Sequence, residues 1–172
     1  MADALTVSLS CSLDWLFNEA LDLSTVSDSH RFKWAKDWTD GTGTGNANLI
    51  WHYQGSIAAG SHAHDLIALP QTFYGTGATF NFDRIKALII VNTSTTAGDD
   101  IYLDQTNTGD DWDTNAPWSS GTQLDIPADS FVFFADQYGS GWNPSSANSV
   151  INIDYDGAGT IIYKLIVIGL TA

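Results

Sequence analysis

The run Ile85-Lys86-Ala87-Leu88-Ile89-Ile90-Val91 is the most apolar continuous stretch of the chain. A short, β-branched run of this kind, with Asp83 before it and Asn92 after it, reads as a central strand buried on both faces. Working outward toward the N-terminus, Leu5, Val7, Leu9, Cys11 and Leu13 alternate with Thr6, Ser8, Ser10 and Ser12. That period of two predicts a half-buried strand with a serine-rich outer face, and puts Cys11 inward as a small buried hydrophobe. Residues 14–21 read as a short helix capped by Asp14. The stretch around Trp34 and Trp38 reads as a strand. The glycines at 41, 43 and 45 read as a turn, since no lysine and helix follow to make a phosphate loop.

Toward the C-terminus the same signals recur. Strands are expected at 49–53 with a continuation over 56–59, at 64–69 ending at Pro70, and at 101–103, 131–135, 150–155 and 161–168, each bounded by Gly, Asn, Asp or Pro. About eight or nine strands without strand–helix alternation describe an all-β fold, an antiparallel β-sandwich of jelly-roll type, with a short N-terminal arm or helix. The 172 residues fit a single domain, 1–172, with 1–36 as a docking arm. The segment 104–126 is a long polar connection of the kind that carries function or packs on a neighbour.

Composition agrees and narrows the partners. Of the acids only Glu19 is Glu, and Asp favours turns and strand ends over helix interiors. Six Lys and Arg against twenty Asp and Glu give a net charge of −14, which offers no basic surface for nucleic acid and would be repelled by an anionic membrane face. No apolar run reaches the roughly 18 residues of a spanning helix. The opening Met-Ala-Asp-Ala-Leu lacks the positive region of a secretory signal, and Cys11 alone forms no internal disulfide, so synthesis in a reducing cytoplasm is expected.

Few constellations carry chemistry. Asp110, Asp111 and Asp113 offer oxygen ligands for Ca²⁺, but their spacing does not match the twelve-residue calcium loop, and a solvated acidic loop is the alternative. His62 and His64, two apart on a strand, point to one face and would supply two zinc ligands with His52 or Asp65 as partners; a structural role competes with that reading. The Asp residues sit in polar, turn-like contexts that do not raise a carboxyl pKa for acid catalysis, and no nucleophile motif occurs, so no enzyme and no cofactor are expected. Trp112, Trp118 and Trp142 fall in polar loops, where a tryptophan stacks on a sugar, fills a subunit contact or folds back onto the end of the sandwich. A carbohydrate-binding module using these three rings, with calcium at the Asp loop, is the alternative to a structural protein.

Several stretches carry a resemblance. Leu21-Asp22-Leu23-Ser24-Thr25, Asp40-Gly41-Thr42-Gly43, Ala47-Asn48-Leu49-Ile50-Trp51-His52, His64-Asp65-Leu66-Ile67-Ala68-Leu69, Phe82-Asp83-Arg84-Ile85-Lys86-Ala87-Leu88 and Thr95-Thr96-Ala97-Gly98-Asp99, together with the glycine-rich turn and closing strand over 157–169, resemble the small β-sandwich minor virion proteins of tailed bacteriophages and related tailed viruses. These stretches mark turns and strands, and none is catalytic. The resemblance implies a virion component of decoration, turret or fibre-base type, made in the host cytoplasm. It further implies a homo-oligomer, a trimer or pentamer, contacting the major capsid protein or neighbouring virion proteins, with a host glycan as a further partner. The sequence departs from that pattern over 104–126, where Trp112 and Trp118 stand in a long segment instead of a shorter turn.

Overall fold

Alternating apolar and polar residues, with β-branched and aromatic side chains between glycine-rich turns, make every regular element a strand. The computed structural model describes residues 4–21, 24–73, 76–103, 112, 116–118, 123–136 and 139–171, and among these no helix is seen. The strands in chain order are β1 (Thr6–Leu21), β2 (Ser24–Thr39), β3 (Leu49–Asp65), β4 (Leu69–Phe73), β5 (Thr76–Phe80), β6 (Arg84–Asn92), β7 (Ile101–Leu103), β8 (Leu124–Ile126), β9 (Ser130–Ala135) and β10 (Val150–Leu170).

β10 organises the body. Its 21 residues pair antiparallel with β3 along one edge, and along the other with β7 at its start and β6 at its end. β8 extends the sheet beyond β7 and β9 extends it beyond β6. Strands of this length do not stay flat. The register between β10 and β3 slips between Tyr155 and Thr160, so that Tyr155 faces Gly60 and Thr160 faces Ala58. Gly60 takes φ +130° at this bend, and a Cβ on Gly157 would lie 2.2 Å from the Tyr155 hydroxyl, so both positions need glycine. The bend wraps the sheet around one core. Leu88 and Ile90 of β6, Ile101 and Leu103 of β7, and Ile151, Ile153, Ile161 and Leu165 of β10 meet there.

The expected central strand is β6, flanked by β10 and β9. Ile85, Leu88 and Ile90 point into the core, while Ala87 joins a second, smaller cluster on the outer face of the sheet. Lys86 is passed over in the register between Ile168↔Ala87 and Gly169↔Ile85, and this bulge turns its side chain away from the ladder. Its buried Nζ donates to the Thr44 and Gly139 carbonyls, both at 2.8 Å, tying two turns to β6.

Four expectations are corrected. The strands predicted at 150–155 and 161–168 are one 21-residue β10, which runs through Gly157 and Gly159 where a turn was expected. The helix at 14–21 is instead the second half of β1, because pairing with β2 from Asp14↔Arg31 to Leu21↔Ser24 satisfies the backbone across the ribbon. The strands predicted at 49–53 and 56–59 are one continuous β3, whose ladder runs through Gly55. The strand at 64–69 is two elements: β3 ends at Asp65, a turn follows, and Pro70 sits inside β4 of the two-stranded β4–β5 ribbon, where one unpaired strand edge tolerates it.

Candidate functional site

The stripe of alternate residues that begins at Leu5 belongs to a hairpin of two 16-residue strands, β1 and β2, which form a sheet of their own. Cross-strand partners share a face, so one side of the ribbon carries Val7 with Trp38, Leu9 with Lys36, Cys11 with Trp34, Leu13 with Phe32, and Trp15 with His30. The other side carries Ser8 with Asp37, Ser12 with Lys33, and Asp14 with Arg31, the last an exposed ion pair. One face is mainly apolar and the other mainly polar, with Leu16 an exposed apolar residue on the polar side.

Only the first part of the apolar face is covered. Val7 and Trp38 are buried with Ala87 and Ile168 on the outer face of the body sheet, and Leu9, Phe133, Ala135 and Ile166 pack around them. Trp34 meets Phe133 edge-on with ring centroids 5.5 Å apart. Beyond this point the ribbon leaves the body. Cys11, Leu13, Trp15 and Phe32 are exposed, although they continue the same stripe. Cys11 is therefore not the buried hydrophobe that alternation implied: the pattern names a face, and the body covers that face only as far as Leu9. From Cys11 to Leu21 the arm extends roughly 35 Å at about 3.4 Å per residue. A groove of about 290 Å³ lined by Leu9, Cys11, Ile89, Phe131 and Phe133 lies where arm and body part.

A second cluster of chemically capable groups sits inside the body, where β3 folds back on itself. Trp51 and Tyr53 stack with centroids 5.6 Å apart, and His62 and His64 from the far half of β3 meet them, their own centroids 4.7 Å apart. The expectation that His62 and His64 share a face thus holds. Tyr163 of β10 places its hydroxyl 2.6 Å from His64 Nε2 and 2.7 Å from His62 Nδ1. One imidazole accepts the phenol proton and the other donates to its oxygen. Burial, reinforced by the neighbouring His62, lowers the His64 pKa from 6.5 to about 4, and burial raises that of the Tyr163 phenol. The zinc partners suggested by sequence do not join them. His52 lies on the opposite, exposed face of β3, and Asp65 accepts from the Ser149 hydroxyl at 2.7 Å and the Ile67 amide at 3.2 Å. Among the described residues no three His, Cys, Asp or Glu side chains are grouped to hold a metal ion.

The tryptophans of the polar loops turn inward. Trp112 is buried in the core, and Trp118 packs edge-on against it at 5.6 Å and touches Phe134. Trp142 also packs on the core, its backbone bonded in both directions to Ile85 at 2.8 and 2.9 Å. Of the three uses open to such rings, folding back onto the body is the one the geometry displays. The calcium candidates Asp110, Asp111 and Asp113 lie outside the described residues. Sequence reasoning placed a docking arm over 1–36 but read residues 14–21 as a helix and Cys11 as buried, and so missed the apolar stripe that runs on along β1; the signal was that alternation continues beyond Leu13 to Trp15. The chain matches no protein-family model, no curated protein and no solved structure.

Proposed function

We propose that the chain is a non-enzymatic viral structural protein, a capsid-associated component of decoration, turret or head-fibre type. It is placed in the virion after synthesis in the host cytoplasm, and it contacts the major capsid protein or neighbouring virion proteins. The observation that carries this proposal is the hairpin arm: a ribbon whose apolar face is seated on the body at its base and bare beyond it. A monomeric protein seldom keeps such a stripe in water, whereas a protein that attaches to a neighbour uses it at assembly. The acidic body suits high local copy number, since a net charge far from zero discourages random association.

As part of the same proposal, the wrapped antiparallel sheet is a β-sandwich of the jelly-roll kind, with β8, β7 and the start of β10 facing the end of β10, β6 and β9. The loop tryptophans do not favour a glycan-binding reading, because Trp112 is buried and Trp118 is packed on it. The test is quantitative mass spectrometry of virus particles banded from the source culture. Peptides of this chain at a copy number that fits a particle symmetry support the proposal, and their absence from intact particles overturns it.

A further inference from the structure

We propose that the outer half of the arm seats on the body of a second copy of this chain, the ridge formed by Leu13, Trp15 and Phe32 covering a ledge formed by Ile89, Phe131 and Ile162 on that copy. The pairing rests on the structural role proposed above and names the partner.

Continuity of packing supports the pairing. On the outer face of the body sheet, Phe131↔Val91 and Phe133↔Ile89 are cross-strand pairs beside the alternate residues Ile162, Lys164, Ile166 and Ile168 of β10, with the exposed Lys164 opposite Val91. The base of the arm covers the lower end of that face, through Ile166, Ile168, Phe133 and Ala135. The upper end is bare, with Phe131 64% and Ile162 47% exposed. The arm is bare in its turn, with Leu13 58%, Phe32 54% and Trp15 43% exposed. One molecule thus presents an uncovered ridge and an uncovered ledge, each continuing a surface that already mates with its counterpart inside the same chain. The arm diverges from the body and leaves its own ledge open, so a second copy supplies the missing half of each.

The area is that of a weak single contact: at roughly 150–250 Å² for a large side chain, the ridge of one copy (Leu13, Trp15, Phe32) and Phe131 on the ledge of the next together expose on the order of 450 Å² of apolar surface, about a quarter of the roughly 1,600 Å² buried in total by an ordinary stable interface. Ridge and ledge are different surfaces, so the contact passes from copy to copy and closes a ring when the rotation allows.

The test is complementation. Light scattering after size exclusion across a concentration series reads the mass of the wild type, of L13S/F32S (ridge removed), of F131D (ledge removed), and of an equimolar mixture of the two variants. Every substituted side chain is exposed, so at a dilution where the wild type is monomeric the melting temperatures should match it and show that each variant folds. The expected result is a concentration-dependent oligomer for the wild type, with a midpoint raised about tenfold or more in either variant alone. The mixture should form a one-to-one pair, because each variant keeps the surface the other lacks. L16S, on the opposite face of the arm, should assemble as the wild type does. A wild type that stays monomeric at all concentrations, variants that assemble like the wild type, or a mixture that restores nothing would each overturn the pairing. Detection of the chain in banded particles is a separate result, so failure here is distinguishable from failure of the virion role.

Discussion

Lowering the pH should weaken this fold through His64, by an amount the structure allows to be worked out. An imidazole in the unfolded chain titrates near 6.5, and in the folded chain His64 titrates at about 4, mainly because burial between Trp51, Tyr53 and Tyr163 strips its charged form of water, with His62 adding to the effect. Between those two pH values the unfolded chain holds a proton that the native chain does not. Stability therefore falls as the pH falls through this window, and this group adds no further slope above 6.5 or below about 4. The linked loss is about 2 kcal/mol at pH 5 and about 3 kcal/mol by pH 4 relative to pH 7.5. Carboxylates titrate in the same range, so the effect is isolated by a variant: H64Q keeps a group able to pair with the Tyr163 hydroxyl but takes up no proton. Urea unfolding followed by tryptophan fluorescence at pH 7.5, 6 and 5 should show the wild type losing about 2 kcal/mol more than H64Q across that range. H64L, which removes the hydrogen bond as well, should share the flatter pH dependence of H64Q whatever its absolute stability. Equal slopes in wild type and both variants would refute the buried, neutral His64 on which the calculation stands.

Three further outcomes test the packing. In G169A the new Cβ would lie 2.0 Å from the Arg84 carbonyl oxygen, in backbone that cannot swing aside, so stability should fall by about 3 kcal/mol and the melting temperature by roughly 6–12 °C. K86M removes the buried ammonium that holds the Thr44 and Gly139 carbonyls; about 2–3 kcal/mol should be lost in urea titrations, and hydrogen exchange should quicken in both turns. W38A empties the site that seats the arm on Ala87 and Ile168, at a cost of about 3–5 kcal/mol, and limited proteolysis should then cut within β1 or β2 before the body is attacked.

Much of the strand content was legible because a strand writes its burial into the chain at a period of two. The run from Ile85 to Val91 announced the middle of the sheet, and the alternation from Leu5 announced the first half of β1. The short strands β5 and β8 were missed, β5 because Thr76-Gly77-Ala78-Thr79-Phe80 holds few large apolar residues and β8 because its three residues close a long polar segment, whereas the equally short β7 was legible as Ile101-Tyr102-Leu103. Residues 14–21 were misread because Leu13, Trp15, Leu16 and Leu21 also suit a helical spacing. Pairing with β2 decided between the two, and pairing is a contact between segments that neither carries alone.

The candidate sites divide in the same way. That His62 and His64 share a face followed from their spacing. That Tyr163, 99 residues beyond His64, bridges them followed only from the bend in β3 and β10. The polar surroundings of Trp112 and Trp118 in the chain left a sugar, a subunit contact and the body itself open as partners, and long-range packing draws both rings onto the core. The apolar stripe of the hairpin is the clearest case. Composition and alternation by themselves determined that the protein is all-β, acidic, and lined along β1 with one apolar face, because each depends on residue type and on the two-residue repeat of an extended backbone. Which half of that face is covered was decided by the tertiary structure alone, because burial is a relation between the arm and the outer face of the body sheet. The ledge of that sheet receives the arm as far as Leu9 and leaves Leu13, Trp15 and Phe32 in water.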